Sequence, residues 1–201
     1  MKIVKVRTLL ISIFGFIPIA AYPQNSWEID RDKEGIIVYT RVEEDSDFKS
    51  FKAVMIVHSS ADKIVEILKN ADDYTKWYGY TKASKMLRQE HDVQYNYVET
   101  IFPWPYTNRD MVYRMAINKS MDGAVKIVLE GLPDYIPEKK GIVRMRKAGG
   151  SILLKPIGEK IEVTYEFHSE PGDHIPSWLA NKSIAELPFR TFLGLRKMLR
   201  E

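Results

Sequence analysis

The chain has 201 residues, no cysteine, and 30 Lys and Arg against 27 Asp and Glu. That length suits one domain with a sizeable core. Without cysteine, the chain has no disulfide, no thiol nucleophile and no thiolate ligand for zinc or an iron–sulfur cluster.

The chain opens on "MKIVKVR", with Lys2, Lys5 and Arg7, and continues with the apolar run "TLLISIFGFIPIAA". A basic start followed by a short apolar run is the pattern of a secretory signal peptide, and the run falls short of the ~20 residues of a membrane span. Cleavage is expected after Ala21, although Ile19 occupies a place where a small residue is usual. The alternative is an uncleaved N-terminal anchor. The expected organisation is a signal peptide over 1–21, a linker over 22–26 and one domain over 27–201, exported to a periplasm or secreted. The leader holds three of the bases and none of the acids, so the remainder balances at 27 against 27. A neutral chain lacks the electrostatic footprint of a nucleic-acid binder.

Past the linker, "WEIDRDKEG" (27–35) reads as a short helix ending at Gly35. Residues 36–44 and 48–59 read as strands, rich in β-branched and aromatic residues. Ser60 is a fitting N-cap for a helix with Ile64, Ile67, Leu68 and Ala71 at helical spacing. "DDYTKWYGY" (72–80), crowded with aromatics, reads as a second short helix. Seven strands are then expected at 81–90, 93–102, 109–119, 124–131, 141–148, 151–157 and 161–169. The Gly-Gly of "AGG" (148–150) reads as the hairpin turn between the fifth and sixth of these. Residues 175–200 form one long amphipathic helix with a kink at Pro188. Consecutive strands with short turns make an antiparallel sheet, and the helices must cover one of its faces, which gives an α+β fold.

Alternation sorts the strand residues by face. Tyr113 and Met115 fall on one face, as do Ile127 with Leu129, and Val163 with Tyr165. Val143 and Met145 likewise fall together, opposite Arg144 and Arg146. The apolar face either packs a solid core or leaves a space for an apolar ligand, and alternation fits both. Arg109 and Asp110 are adjacent on a strand, so they point to opposite faces and each needs its own partner. His58, His91, His168 and His174 show no metal-ligand spacing, and no nucleophile elbow, P-loop or dinucleotide fingerprint occurs.

Three stretches carry a family resemblance: "FPWPYTNRDMVY" (102–113), "GIVRMRKAGGSILLKPI" (141–157) and "HSEPGDHIPSWLANKSIAELPFRTFLGLRK" (168–197). In that order they resemble the StAR-related lipid transfer (START) domain family, over roughly residues 27–200. The resemblance implies a helix-grip fold, in which a curved antiparallel sheet wraps a long C-terminal helix around a hydrophobic tunnel. It implies noncovalent binding or transfer of one lipid or sterol-like molecule by a monomer, with transient membrane contact, no cofactor and no covalent chemistry. Combined with strand and helix parity, it points to a lining of Tyr113, Met115, Ile127, Leu129, Val143, Met145, Val163, Tyr165, Leu179, Ile184 and Leu187. Arg109 and Asp110 either tie a corner between two strands or meet a headgroup. Sterol carriers of the family place a buried Arg in the strand after the Asn-Arg-Asp motif. The matching position here is Met115, which departs from that pattern and leaves the ligand open. Residues 132–141 and the helix start around Trp178 are the expected lid. The wider superfamily also contains polyketide cyclases and aromatases, so an enzyme using a few polar residues in the same space is the alternative.

Overall fold

The computed structural model describes residues 26–172 and 175–200. The leader and all but the last residue of the linker lie outside them, as does His174. The described chain forms β1 (Glu28–Lys33), β2 (Ile36–Glu43), β3 (Ser46–Val57), α1 (Ala61–Lys69), a 3₁₀ turn (Ala71–Asp73), α2 (Tyr74–Trp77), β4 (Thr81–Glu90), β5 (Val93–Thr100), β6 (Arg109–Lys119), β7 (Val125–Gly131), β8 (Val143–Arg144), β9 (Lys147–Ile157), β10 (Lys160–Glu170), α3 (Ser177–Ser183) and α4 (Glu186–Arg200). The strand order is β1-β2-β3-β10-β9-β7-β6-β5-β4, antiparallel throughout, and β8 adds a short parallel pairing to β6. After β3 the chain crosses to the far edge through α1 and α2, which places the helices over one face.

Three local expectations are corrected. Residues 28–33 are an edge strand, not a helix. Glu34 and Gly35 both take positive φ, 55° and 67°, as the two central residues of a tight hairpin turn do, and they fold β1 back onto β2. The charges of this segment guard an exposed edge. Likewise, Gly149 and Gly150 make no turn: β9 runs through them, paired with β7 on one side and β10 on the other. A Cβ at Gly150 would lie 2.1 Å from the Glu166 carbonyl oxygen, so glycine is required by the close approach of strands. Of the expected strand at 141–148, only Val143–Arg144 pairs as a separate short strand, and Lys147 and Ala148 already belong to β9.

The last correction concerns the C-terminal helix, which is two helices with a break at residues 184–185. Pro188 causes it from inside the first turn of α4. Its ring conflicts with the carbonyl four residues back, which is that of Ile184. The interruption therefore precedes the proline.

The core follows from parity. Val38, Met55, Ile127, Leu154 and Val163 are sealed on the inner face, together with Ile64 of α1 and Phe192 and Leu195 of α4. Ser60 caps α1 by accepting a hydrogen bond from the Lys63 amide at 3.2 Å. Gly194 lets α4 approach the Trp77 carbonyl, which a Cβ there would meet at 2.0 Å.

Candidate ligand-binding site

A cavity of about 500 Å³ lies between the sheet and the C-terminal helices. It occupies one half of the inner face. On β6, β7, β9 and β10 its wall includes Met115, Leu129, Ile152 and Tyr165, while the next inward residue on each strand (Ile117, Ile127, Leu154, Val163) is packed into solid core. These positions are neighbours across the sheet: Met115 pairs with Leu129 and Ile117 with Ile127, Tyr165 with Ile152 and Val163 with Leu154. One boundary therefore crosses the sheet, with cavity on one side and core on the other.

Of the residues singled out by parity, Tyr113, Met115, Leu129, Met145, Tyr165, Leu179, Ile184 and Leu187 meet on this wall. Ile127, Val143 and Val163 do not. Ile127 and Val163 face the right way but lie beyond the boundary, fully buried against other core side chains. Val143 sits in a strand of only two residues, beside Gly172, whose Cβ would lie 2.9 Å from its Cγ1.

Parity missed part of the wall. Phe102, Pro103 and Tyr106 contribute from the loop before β6, Val98 and Thr100 from β5, and Tyr74 and Tyr78 from α2 and its end. Loop residues carry no periodicity to read. The signal for α2 was its aromatic crowding. Among the wall residues, Tyr80 and Ile101 are exposed. Residues 132–141, expected as a lid, contribute nothing to the wall. Trp104 (92 % exposed) and Trp178 (67 %) stand out from the 101–106 loop and from α3, two segments that contribute to the wall.

The inner end of the cavity carries tyrosines. The Tyr78 and Tyr165 hydroxyls share a hydrogen bond of 2.6 Å. The Tyr74 hydroxyl donates to the Leu68 carbonyl. Burial pushes the Tyr165 phenol well above its ordinary pKa, and the neighbouring Tyr78 hydroxyl adds to the rise. Burial also raises Tyr113, to about 12, with Tyr74 and Asn96 beside it offsetting part of the shift. These phenols stay protonated at neutral pH and act as hydrogen-bonding groups. Tyr95 and Tyr97 lie on the other face of β5, Tyr95 stacked on Tyr135 and Tyr97 under the Lys139 ammonium.

Arg109 and Asp110 diverge as adjacent strand residues must, and both are 1 % exposed. Asp110 accepts two hydrogen bonds from Arg144, at 2.7 and 3.2 Å. Arg144 is buried rather than solvated, and it also donates to the carbonyls of Pro133 and Ile136, which ties the 132–137 loop to β6. The Arg109 Nε donates to the Pro171 carbonyl at 2.9 Å, its Nη1 donates to Thr107, and its guanidinium lies 4.7 Å from the Phe102 ring centre. The pair thus anchors two loops. Among the described histidines, His58 and His91 are exposed, and His168 meets Ser50 at 3.1 Å on the outer face, away from the cavity.

An antiparallel sheet gripping a C-terminal helix over a partly empty inner face has close counterparts. A STAR-related lipid transfer protein fragment from Xanthomonas axonopodis superimposes with a TM-score of 0.83 at 39 % identity, covering 87 % of this chain and 99 % of that one. An uncharacterized protein of Pseudomonas aeruginosa is 33 % identical over 195 residues, 96 % of each chain. The phosphatidylcholine transfer protein of Rattus norvegicus is 27 % identical over 163 residues, 77 % of this chain and 75 % of that one. The START domain matches residues 19–200, and with that match the fold and the gripped helix find their place: the chain belongs to the START domain family.

Proposed function

We propose that the protein binds one lipid-like hydrophobic molecule in this cavity, noncovalently, and passes it between membranes. The observation that carries this reading is the unfilled half of an otherwise sealed inner face, walled by side chains such as Met111, Met115, Leu129 and Ile152. Its volume falls within the ~300–1,000 Å³ of small-molecule pockets. Apolar burial supplies the affinity, at ~25 cal/mol per Å² removed from water before the entropic cost of binding. Membership of a family that includes lipid transfer proteins supports the same reading.

Exchange takes place at the mouth. Trp104 and Trp178 are the kind of amphipathic ring that settles at a bilayer interface, and both are exposed on segments that contribute to the wall. The basic and apolar leader supports a working place outside the cytoplasm.

The tyrosine cluster favours one alternative, a cyclase-like enzyme. Catalysis by proton abstraction needs a base poised near the working pH, and phenols pushed upward by burial move away from it. The binding reading is therefore preferred.

Native mass spectrometry of the purified protein followed by organic extraction tests the proposal. A bound mass that extracts as an intact lipid is the expected result. A protein that is empty and takes up no labelled lipid overturns it.

A further inference from the structure

The charges on the cavity wall bear on which lipid is held, and this inference rests on the binding reading above. Among the described residues, the charged side chains on the wall are Lys49 and Glu186, both half-buried. Glu186 is engaged by Arg31 and by Arg190. No carboxylate of the described residues lies within ion-pair distance of Lys49, so the cation of the wall is the charge left uncompensated.

The strand pairing explains why Lys49 belongs to the wall. The ladder between β3 and β10 runs to Ser50 and His168, which meet on the outer face. The next residues along, Lys49 and Ser169, therefore turn to the inner face, and both are wall residues. α3 packs against this part of β3. The Asn181 Oδ1 accepts the Lys49 amide N–H at 2.8 Å, and its Nδ2 donates to the Asp47 carbonyl at 2.9 Å. Ser183 donates to carbonyls of its own helix. These wall groups of α3 are spent, which leaves the Lys49 ammonium and the Ser169 hydroxyl. The tyrosines at the inner end are engaged as well, Tyr78 with Tyr165 and Tyr74 with the Leu68 carbonyl. Phe51 is the next inward residue of β3 after Lys49, and its ring packs edge-on against Tyr165 at 5.0 Å, so an aromatic layer separates the cation from the tyrosine end.

A half-buried lysine lays its stem along apolar surface and keeps its ammonium toward water. An anion brought to that point gains a charge-assisted hydrogen bond and keeps part of its hydration. We propose that Lys49, with Ser169 beside it, receives the anionic group of an amphiphile, a carboxylate or a phosphate. The lipid then lies with its charged end beside α3 and its chain inward along Phe51, Leu129 and Met115. Lys49 is a specificity-determining residue that favours anionic lipids over uncharged ones with the same chains.

The test offers the whole protein two equimolar pairs, oleate with oleyl alcohol and dioleoylphosphatidate with dioleoylglycerol. Captured lipids are read by native mass spectrometry. The expected result is several-fold preference for the anionic member in one pair or both, and the pair that responds tells a carboxylate from a phosphate. Lys49→Met keeps the length of the side chain without its charge and should lower that preference about five- to tenfold, as the loss of a charge-assisted hydrogen bond does. Lys49→Arg keeps the charge and should retain the preference. Unchanged near-ultraviolet circular dichroism checks that each variant is folded. Equal or reversed capture within both pairs, or a preference that Lys49→Met leaves unchanged, overturns the inference and leaves the carrier reading standing. Capture from neither pair also overturns the inference, and it overturns the carrier reading too if the purified protein yields no lipid on extraction.

Discussion

The two halves of the inner sheet face are built from the same strands, in the same parity, with similar side chains, yet one is solid and the other is hollow. Ile117, Ile127, Leu154 and Val163 belong to the filled half, Met115, Leu129, Ile152 and Tyr165 to the hollow one. Strand composition does not separate them. What differs is the cover. Ile64 of α1 and Phe192 and Leu195 of α4 are sealed and, like the filled half, lie off the cavity wall. Over the hollow half lie α3 and the first turn of α4, where the helix is interrupted and Leu179, Ile184 and Leu187 are only half-buried. A cavity here is a property of how a broken helix covers a regular sheet.

The largest expected effect lies on the other face of β6, at a sealed ion pair. Removing the carboxylate in Asp110→Ala leaves the sealed Arg144 guanidinium without its ionic partner and frees the 132–137 loop, which should cost ~3–5 kcal/mol in urea unfolding. A loss below about 1 kcal/mol would mean that the pair is not buried as described. Next, the halves should respond differently to the same truncation. Ile127→Ala in the filled half should cost ~2–5 kcal/mol, as core truncations do. Leu129→Ala, two residues along the same strand, removes a side chain that already faces space and should cost clearly less, because part of its lining contact is missing from the outset. Equal losses in the two variants would mean that both halves are filled.

These contrasts also mark how far the sequence could be read. The faces of β6, β7 and β10 were legible, because a period of two requires only that one side be dry. The Ser60 cap was legible from its residue type. The position along the strand where core gives way to cavity was not. Ile127 and Leu129 look alike in the sequence, and the difference lies in helices distant along the chain. Phe102, Pro103 and Tyr106 belong to a loop without periodicity, so the motif there pointed to the corner but not to its role as a wall. The two glycines of "AGG" have the composition of a turn, and only the approach of Glu166 shows why they stand inside a strand. Glu28–Lys33 carries the charge of a solvated helix and of a guarded edge alike, and the positive φ at Glu34 and Gly35 decides between them.

Filling the hollow half separates ligand uptake from folding. Leu187→Trp adds bulk into the cavity from α4 and should lower lipid capture at least ~10-fold, while the urea midpoint stays within the ±0.5 kcal/mol range of neutral substitutions. Leu154→Trp adds the same bulk to the solid half and should cost ~1–3 kcal/mol or more through overpacking. If Leu187→Trp costs as much as Leu154→Trp, the space is not free.

The smallest effect concerns the link between the edge of the sheet and the rim of the cavity. Glu186 opens α4 and lies on the wall, and the hydrogen bond from Arg31 of β1, with the attraction of that charge, holds its carboxyl below the ordinary 4.5. A depressed carboxylate pKa stabilises the fold above the unfolded value, and the contribution is lost as pH falls through the folded one. The Arg31 side chain is 29 % exposed and that of Glu186 35 %, so solvent screens the pair and its worth is under about 1 kcal/mol. Arg31→Gln should therefore cost more stability at pH 7 than below the folded pKa of Glu186, where the carboxyl is protonated in both proteins and only the contact of Arg31 with the Phe189 ring is lost. Unfolding curves at pH 7 and pH 3 measure the difference. Because Glu186 lies in the segment that covers the hollow half, the same variant should speed lipid release at pH 7 while leaving the filled half unaltered. Hydrogen exchange that rises in α3 and the first turn of α4, but not in β7 or β9, would locate the loosened cover. A uniform rise across the sheet would show instead that the two halves unfold as one.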